Sequence, residues 1–196
     1  MPGNTKFNVS VAFDKKVSLS HVASSRLQKE KGGQKTKRTL GVTKKHAERG
    51  VPLLHWDEET DPIAKTVRLA LKEVSIAYVI KANIWLDKAV DKKSPCYKHI
   101  MNHEMRHVKI WQNGIKKYTK DMIKLVEDAT EPKMSTPIVV KLSKAKALRA
   151  ASYNKINAAM IEAFDIYGKK ISEDSRKIHT PAELKKTNEM CQMYLL

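Results

Sequence analysis

Between Ser94 and Asp128 the chain holds its longest stretch with a single structural solution. Ser94-Pro95 is a strong helix start, because a serine at the N-cap accepts a backbone N–H and a proline in the first helical position gives up no hydrogen bond. From there Ile100, Val108, Trp111, Ile115, Tyr118, Met122 and Val126 recur at helical spacing. The pattern predicts a helix from Pro95 towards Asp128, loosened at Asn113-Gly114, with Pro132 and Pro137 ending the segment.

The chain before that helix reads as strands. Phe7 to Phe13 alternates apolar and polar residues, which suits a half-buried strand. Val67, Leu69 and Leu71 alternate with Arg68, Ala70 and Lys72; Val74, Ile76, Tyr78 and Ile80 form a second run, closed by Ile84-Trp85-Leu86. These runs predict at least two antiparallel strands joined by a short turn. Pro52 and Asp61-Pro62 punctuate the approach to them. Residues 26–50 are rich in Lys, Arg, Gly, Gln and Thr, with little periodicity apart from Leu40 and Val42, and read as an exposed basic loop most flexible at Gly32-Gly33.

After the long helix, a second one is expected from near Ser143 to a stop at Gly168, carrying Leu148, Ile156, Met160, Phe164 and Tyr167. A last short helix opens at Thr180-Pro181-Ala182-Glu183 and ends near Cys191. The order predicts an α+β fold: a small antiparallel sheet packed against the long helix and further C-terminal helices. A single domain over residues 1–196, with the basic loop at 26–50 as its excursion, accommodates the length.

The chemistry sits in His103-Glu104-Met105-Arg106-His107. Two histidines four apart stack on one helix face, and each can offer a nitrogen to one zinc ion at about 2.0–2.1 Å. Glu104 points around the helix towards the metal's open side. There it can take a proton from zinc-activated water as that water attacks a carbonyl, then pass it to the leaving nitrogen. Zinc catalysis ordinarily uses three protein ligands. Ile110 and Asn113 stand where a glycine and a third histidine would extend the motif, which disfavours a metzincin. The downstream candidates are Glu162, Asp165, Glu173, Asp174 and His179. Glu162 would complete two His and one Glu, but no Asn-Glu signature surrounds it, and His179 is the better ligand by residue type. His46 and His55 are spare, and His99, four before His103, is placed at the rim of the same face.

Thirty-eight Lys+Arg against 21 Asp+Glu give a net charge of +17, which attracts polyanions such as nucleic acid, anionic lipid head groups or acidic cell-wall polymers. The basic stretches lack interleaved aromatics and any nucleic-acid motif, so charge alone assigns no partner. No run reaches transmembrane length, and Met1 to Lys6 lead straight into the first strand without an apolar signal core. The chain is then cytoplasmic, or a mature form from which a signal was removed. Cys96 and Cys191, the only cysteines, suit either one disulfide or two buried thiols, and no Cys-x-x-Cys pair is present for a zinc cluster.

The run Cys96 to Val108 resembles the active-site helix of a bacterial family of predicted secreted zinc-dependent proteases of uncharacterised function. Leu40-Gly41-Val42-Thr43 and Cys191 fit that family's upstream element and C-terminal cysteine, and Asp174 with His179 matches a spacing some members show. The resemblance implies a periplasmic or secreted protein, a Cys96–Cys191 disulfide, and His179 as third ligand. The absent signal peptide and the basic excursion depart from the family.

The expected function is a zinc-dependent metallopeptidase acting on a protein or peptide, with Zn2+ on His103, His107 and His179 and Glu104 as general base. The alternatives are a zinc amidase acting on cell-wall peptide, or a basic nucleic-acid or anionic-envelope binding protein with a non-catalytic zinc site.

Overall fold

The computed structural model describes residues 5–14, 16–30, 39–130, 134 and 136–195. In chain order the elements are β1 (Lys6–Phe13), β2 (Ser18–Val22), α1 (Ser24–Glu30), β3 (Gly41–Arg49), β4 (Leu53–Asp61), β5 (Thr66–Asp87), α2 (Pro95–Ala129), β6 (Ile138–Lys141), α3 (Leu142–Arg176) and α4 (Pro181–Leu195). The fold is α+β. Its sheet is organised around β5, with which β1, β2, β3, β4 and β6 all pair.

That sheet is mixed, not the purely antiparallel one expected. β4 and β6 run antiparallel to β5, but β2 runs parallel to it, with Ser18 opposite Asn83 and Val22 opposite Asp87. Parallel partners need a long connection, and α1, β3 and β4 fill the one between β2 and β5.

The two strands expected over 67–86 are one strand of 22 residues. The alternation does change phase: Val67, Leu69 and Leu71 are buried, then Val74, Ile76, Ile80, Ala82, Ile84 and Leu86. The cause is a bulge rather than a turn. His55 of β4 pairs with Glu73 and Trp56 with Leu71, so Lys72 is an extra residue that flips the facing without breaking the strand. The real turn follows Asp61, whose Oδ1 accepts from the N–H groups of Ile63 and Ala64, both at 2.9 Å.

The loop expected over 26–50 also contains regular structure. Helix α1 runs to Glu30 and β3 occupies Gly41–Arg49, while Gly32-Gly33 lies outside the described residues. Pairing with β5 satisfies one edge of the β3 backbone whatever its side chains. Its basic residues find aromatic cover: Lys44 Nζ lies 4.3 Å from the Trp85 ring centroid and Lys45 Nζ 4.3 Å from that of Trp111.

The helices begin where expected. Ser94 Oγ accepts from Tyr97 N–H at 3.1 Å, and Thr180 Oγ1 from Glu183 N–H at 3.2 Å. They run further than expected. α2 is continuous through Asn113-Gly114, where glycine serves a close approach: a Cβ on Gly114 would lie 2.5 Å from Ile171 Cγ1 of α3. α3 continues past Gly168 to Arg176, because one mid-helix glycine costs only about 1 kcal/mol and buried Ile171 lies beyond it. Pro132 lies outside the described residues.

The chain divides into two compact units. The first (Met1–Ala12, Arg49–Val79, Lys117–Gly168) has a core of Leu71, Val74 and Ile76 from β5, Val126 from α2, and Ile156 and Met160 from α3. The second (Phe13–Glu48, Ile80–Lys116, Lys169–Leu196) packs Ala82, Ile84 and Leu86 of β5 against Leu40, Cys96, Ile100, Val108 and Cys191. A Cys96–Cys191 disulfide joins α2 to α4 within it, the pairing that the family resemblance implied. Among the described residues no helix is long and apolar enough to cross a membrane.

Candidate metal centre

All the site residues described here belong to the second unit. Helical periodicity turns His99, Ile100, His103, Glu104 and His107 of α2 to one face, and Ser172, Ser175 and Arg176 of α3 to another, with His179 continuing that stripe just beyond the helix end. α4 adds Glu183, Leu184, Thr187 and Asn188 at the same spacing. Strand β3 adds Gly41, Thr43 and Lys45, alternate residues that share one face of the strand. The four walls enclose a cavity of about 700 Å³.

His103, His107 and His179 meet there, one potential ligand atom of each lying within 4.8 Å of the others. Their ring centroids form a near-equilateral triangle, with sides of 4.9, 4.9 and 5.0 Å. Of the other downstream candidates, Glu162 and Asp165 lie in the first unit. Asp174 Oδ1 pairs with Lys177 Nζ at 2.6 Å, and Glu173 is exposed outside the cavity lining. His55 lies in the first unit, and the side chain of His46 is outside the described residues.

Two of the three rings are fixed from behind. His103 Nδ1 is 3.1 Å from Glu183 Oε1, which only accepts, and 3.2 Å from Arg106 Nη2, which only donates; the Glu183 contact favours the tautomer with the proton on Nδ1 and a lone pair on Nε2. Arg106 pairs with that same carboxylate oxygen through Nη2. His107 Nδ1 lies 2.6 Å from Ser175 Oγ, and when that hydroxyl accepts, Nε2 is left with its lone pair free to ligate. The donor chemistry therefore fits a divalent metal of the imidazole-binding kind, with two of the three rings already oriented.

The electrostatics agree. Burial holds the His103 imidazole below the usual histidine pKa, against the opposing hydrogen bond to Glu183, and favours the neutral form that can ligate. Burial works against the charge of Glu183, but the hydrogen bonds to His103 and Arg106 outweigh it and keep the carboxyl below its ordinary range. Burial also lowers the Lys45 ammonium, helped by the nearby Arg176 cation and opposed by Glu104.

Glu104 is buried, and its Oε2 accepts from Thr43 Oγ1 at 2.7 Å. Gly41 makes this approach possible, since a Cβ there would stand 2.5 Å from Ile100 Cγ2 and 3.0 Å from Glu104 Oε1. His99 is buried in the cavity wall, not at an open rim. Its Nε2 lies 2.9 Å from Thr187 Oγ1, and it stands outside the three-histidine group.

The supporting shell escaped sequence reading. Glu183 was visible only as the third residue of a capped helix, a position that normally caps its own N-terminus. Ser175 lies four before His179, a spacing common to any helical pair. In the sequence Thr43 belongs to Leu40-Gly41-Val42-Thr43, a run that by itself gives it no role.

Comparison with protein-family models, curated proteins and solved structures finds no match.

Proposed function

We propose that this protein is a zinc-dependent peptidase, with the metal on His103, His107 and His179 and Glu104 as general base. The observation behind this is the convergence of three imidazoles and one buried carboxylate on a single cavity. A zinc ion there would supply Lewis acidity, lowering the pKa of water and polarising a carbonyl oxygen. The chain supplies the proton traffic. Thr43 fixes the Glu104 carboxylate, which accepts the proton of the attacking water and delivers it to the leaving nitrogen.

Two further features support the reading. Strand β3 lines the cavity and, among the described residues, pairs only with β5, so its other edge suits an extended peptide. On this reading the fold is zincin-like, its active-site helix carrying His-Glu-x-x-His beside the strand that would hold the substrate. The disulfide favours a secreted or periplasmic setting. A zinc amidase acting on cell-wall peptide would use the same groups, and muropeptide substrates distinguish it.

The test is metal analysis and peptide hydrolysis on one preparation. Zinc should bind one to one, and Glu104→Gln should keep the metal while losing about 10²- to 10⁴-fold in kcat. Stoichiometric zinc without cleavage of any peptide in a broad library would sink the peptidase reading.

A further inference from the structure

Two cations share the cavity with the three histidines. Lys45 is the residue after next from Thr43 on β3, and strand alternation puts both on the face that meets Glu104. Its ammonium is steered by the Trp111 ring, 4.3 Å away. Arg176 stands between Ser175, which holds His107, and His179 itself, on the α3 stripe that faces the cavity.

Both residues keep solvent contact, although the cavity wall partly desolvates the Lys45 ammonium, and neither is within salt-bridge distance of a carboxylate among the described residues. The cavity's own acids are otherwise engaged. Glu183 is taken by Arg106 and His103, while Glu104 accepts from Thr43 Oγ1 and offers Lys45 a single partial counter-charge for two cations. Two like charges brought to one cavity from different walls repel each other, and an anion between them relieves that repulsion. An arginine fork with a lysine beside it matches the oxygens of a carboxylate.

We propose that Lys45 and Arg176 form a carboxylate-recognition pair that selects peptides bringing a negative charge into the cavity beside the three histidines. This rests on the peptidase reading for the identity of the ligand as a peptide. The carboxylate can come from an aspartate or glutamate side chain or from the peptide's C-terminus.

Binding tests the pair without relying on turnover. Labelled short peptides are compared by fluorescence anisotropy, Glu against Gln at one position and free acid against C-terminal amide, with zinc-free and zinc-loaded protein. One charged member should bind about tenfold more tightly than its neutral twin, and which one identifies the source. The advantage should shrink with added salt. Lys45→Gln combined with Arg176→Gln should cut the ratio to within about twofold of unity, while Lys45→Arg preserves it. Unfolding midpoints matched to the wild type establish that the variants are folded.

Equal binding of charged and neutral peptides by the wild type overturns the proposal, as does a preference that survives in the double variant. Hydrolysis without charge preference sinks the pair and leaves the peptidase standing. Selective carboxylate binding without hydrolysis does the reverse.

Discussion

Gly114→Ala sets two calculable effects against each other. Replacing a mid-helix glycine by alanine ordinarily stabilises a helix by about 0.8–1.0 kcal/mol. Here the new methyl would sit 2.5 Å from Ile171 Cγ1, 2.9 Å from Cδ1 and 3.0 Å from Cγ2. Ordinary carbon contacts are about 3.5–4.0 Å, so α2 and α3 would have to part locally by about 1 Å. Ile171 cannot swing aside, because a β-branched side chain on a helix is held close to one rotamer and this one is buried. Overpacking of this kind costs about 1–3 kcal/mol, so the net result is a loss of up to about 2 kcal/mol despite the propensity gain. Ile171 lies one turn before Ser175, so the same displacement should weaken zinc binding. Urea unfolding of the metal-free, disulfide-intact protein measures the first effect, and competition with a chromophoric chelator the second. In the Gly114→Ala, Ile171→Ala double variant the clash is gone, so its loss should fall short of the summed single losses by about 0.5–3 kcal/mol. A Gly114→Ala protein more stable than the wild type would refute the reasoning.

Other expectations concern the supporting groups. Ser175→Ala and Glu183→Gln should each lower zinc affinity about 10- to 100-fold in chelator competition, with the three histidines untouched. Reducing the disulfide, or Cys96→Ser with Cys191→Ser, releases a link spanning 95 residues and should cost about 4–5 kcal/mol in urea unfolding. Ser94→Ala should remove about 1 kcal/mol through the lost cap on α2. Hydrogen bonds from Ser75 and Asn8 hold the Glu73 carboxyl below the ordinary glutamate value. Its stabilising contribution is present above the unfolded pKa and lost as pH falls through the folded one, so Glu73→Gln should flatten the stability curve only on that acid side.

What was legible in the sequence was local. The Ser94 and Thr180 caps bond their own third helical residues, so their signal lies within a few positions. The apolar stripe of α2 needs only one turn of context. The bulge at Lys72 was different, because the phase change it causes is identical, in sequence, to a tight turn. Strands of 22 residues are also rare against a usual length of about 5–6, so a turn was the natural expectation. β3 was hidden because basic side chains cover it, while its backbone partner, β5, lies well downstream. At the site, His103, Glu104 and His107 were legible because one helix sets their spacing. Glu183, Ser175 and Thr43 become neighbours only through tertiary packing, which no short spacing encodes.

The order of these parts along the chain has a biosynthetic consequence. His103 and His107 emerge on α2, long before His179, Ser175, Glu183 and Cys191 exist. A nascent chain therefore presents a two-histidine half-site with neither ring held from behind. The third imidazole arrives only after α3 has been made, and Glu183, which holds His103, only with α4. A metal held by all three histidines would therefore be captured only at the last stage of maturation, and a chain interrupted before His179 would leave the ribosome without the complete histidine group.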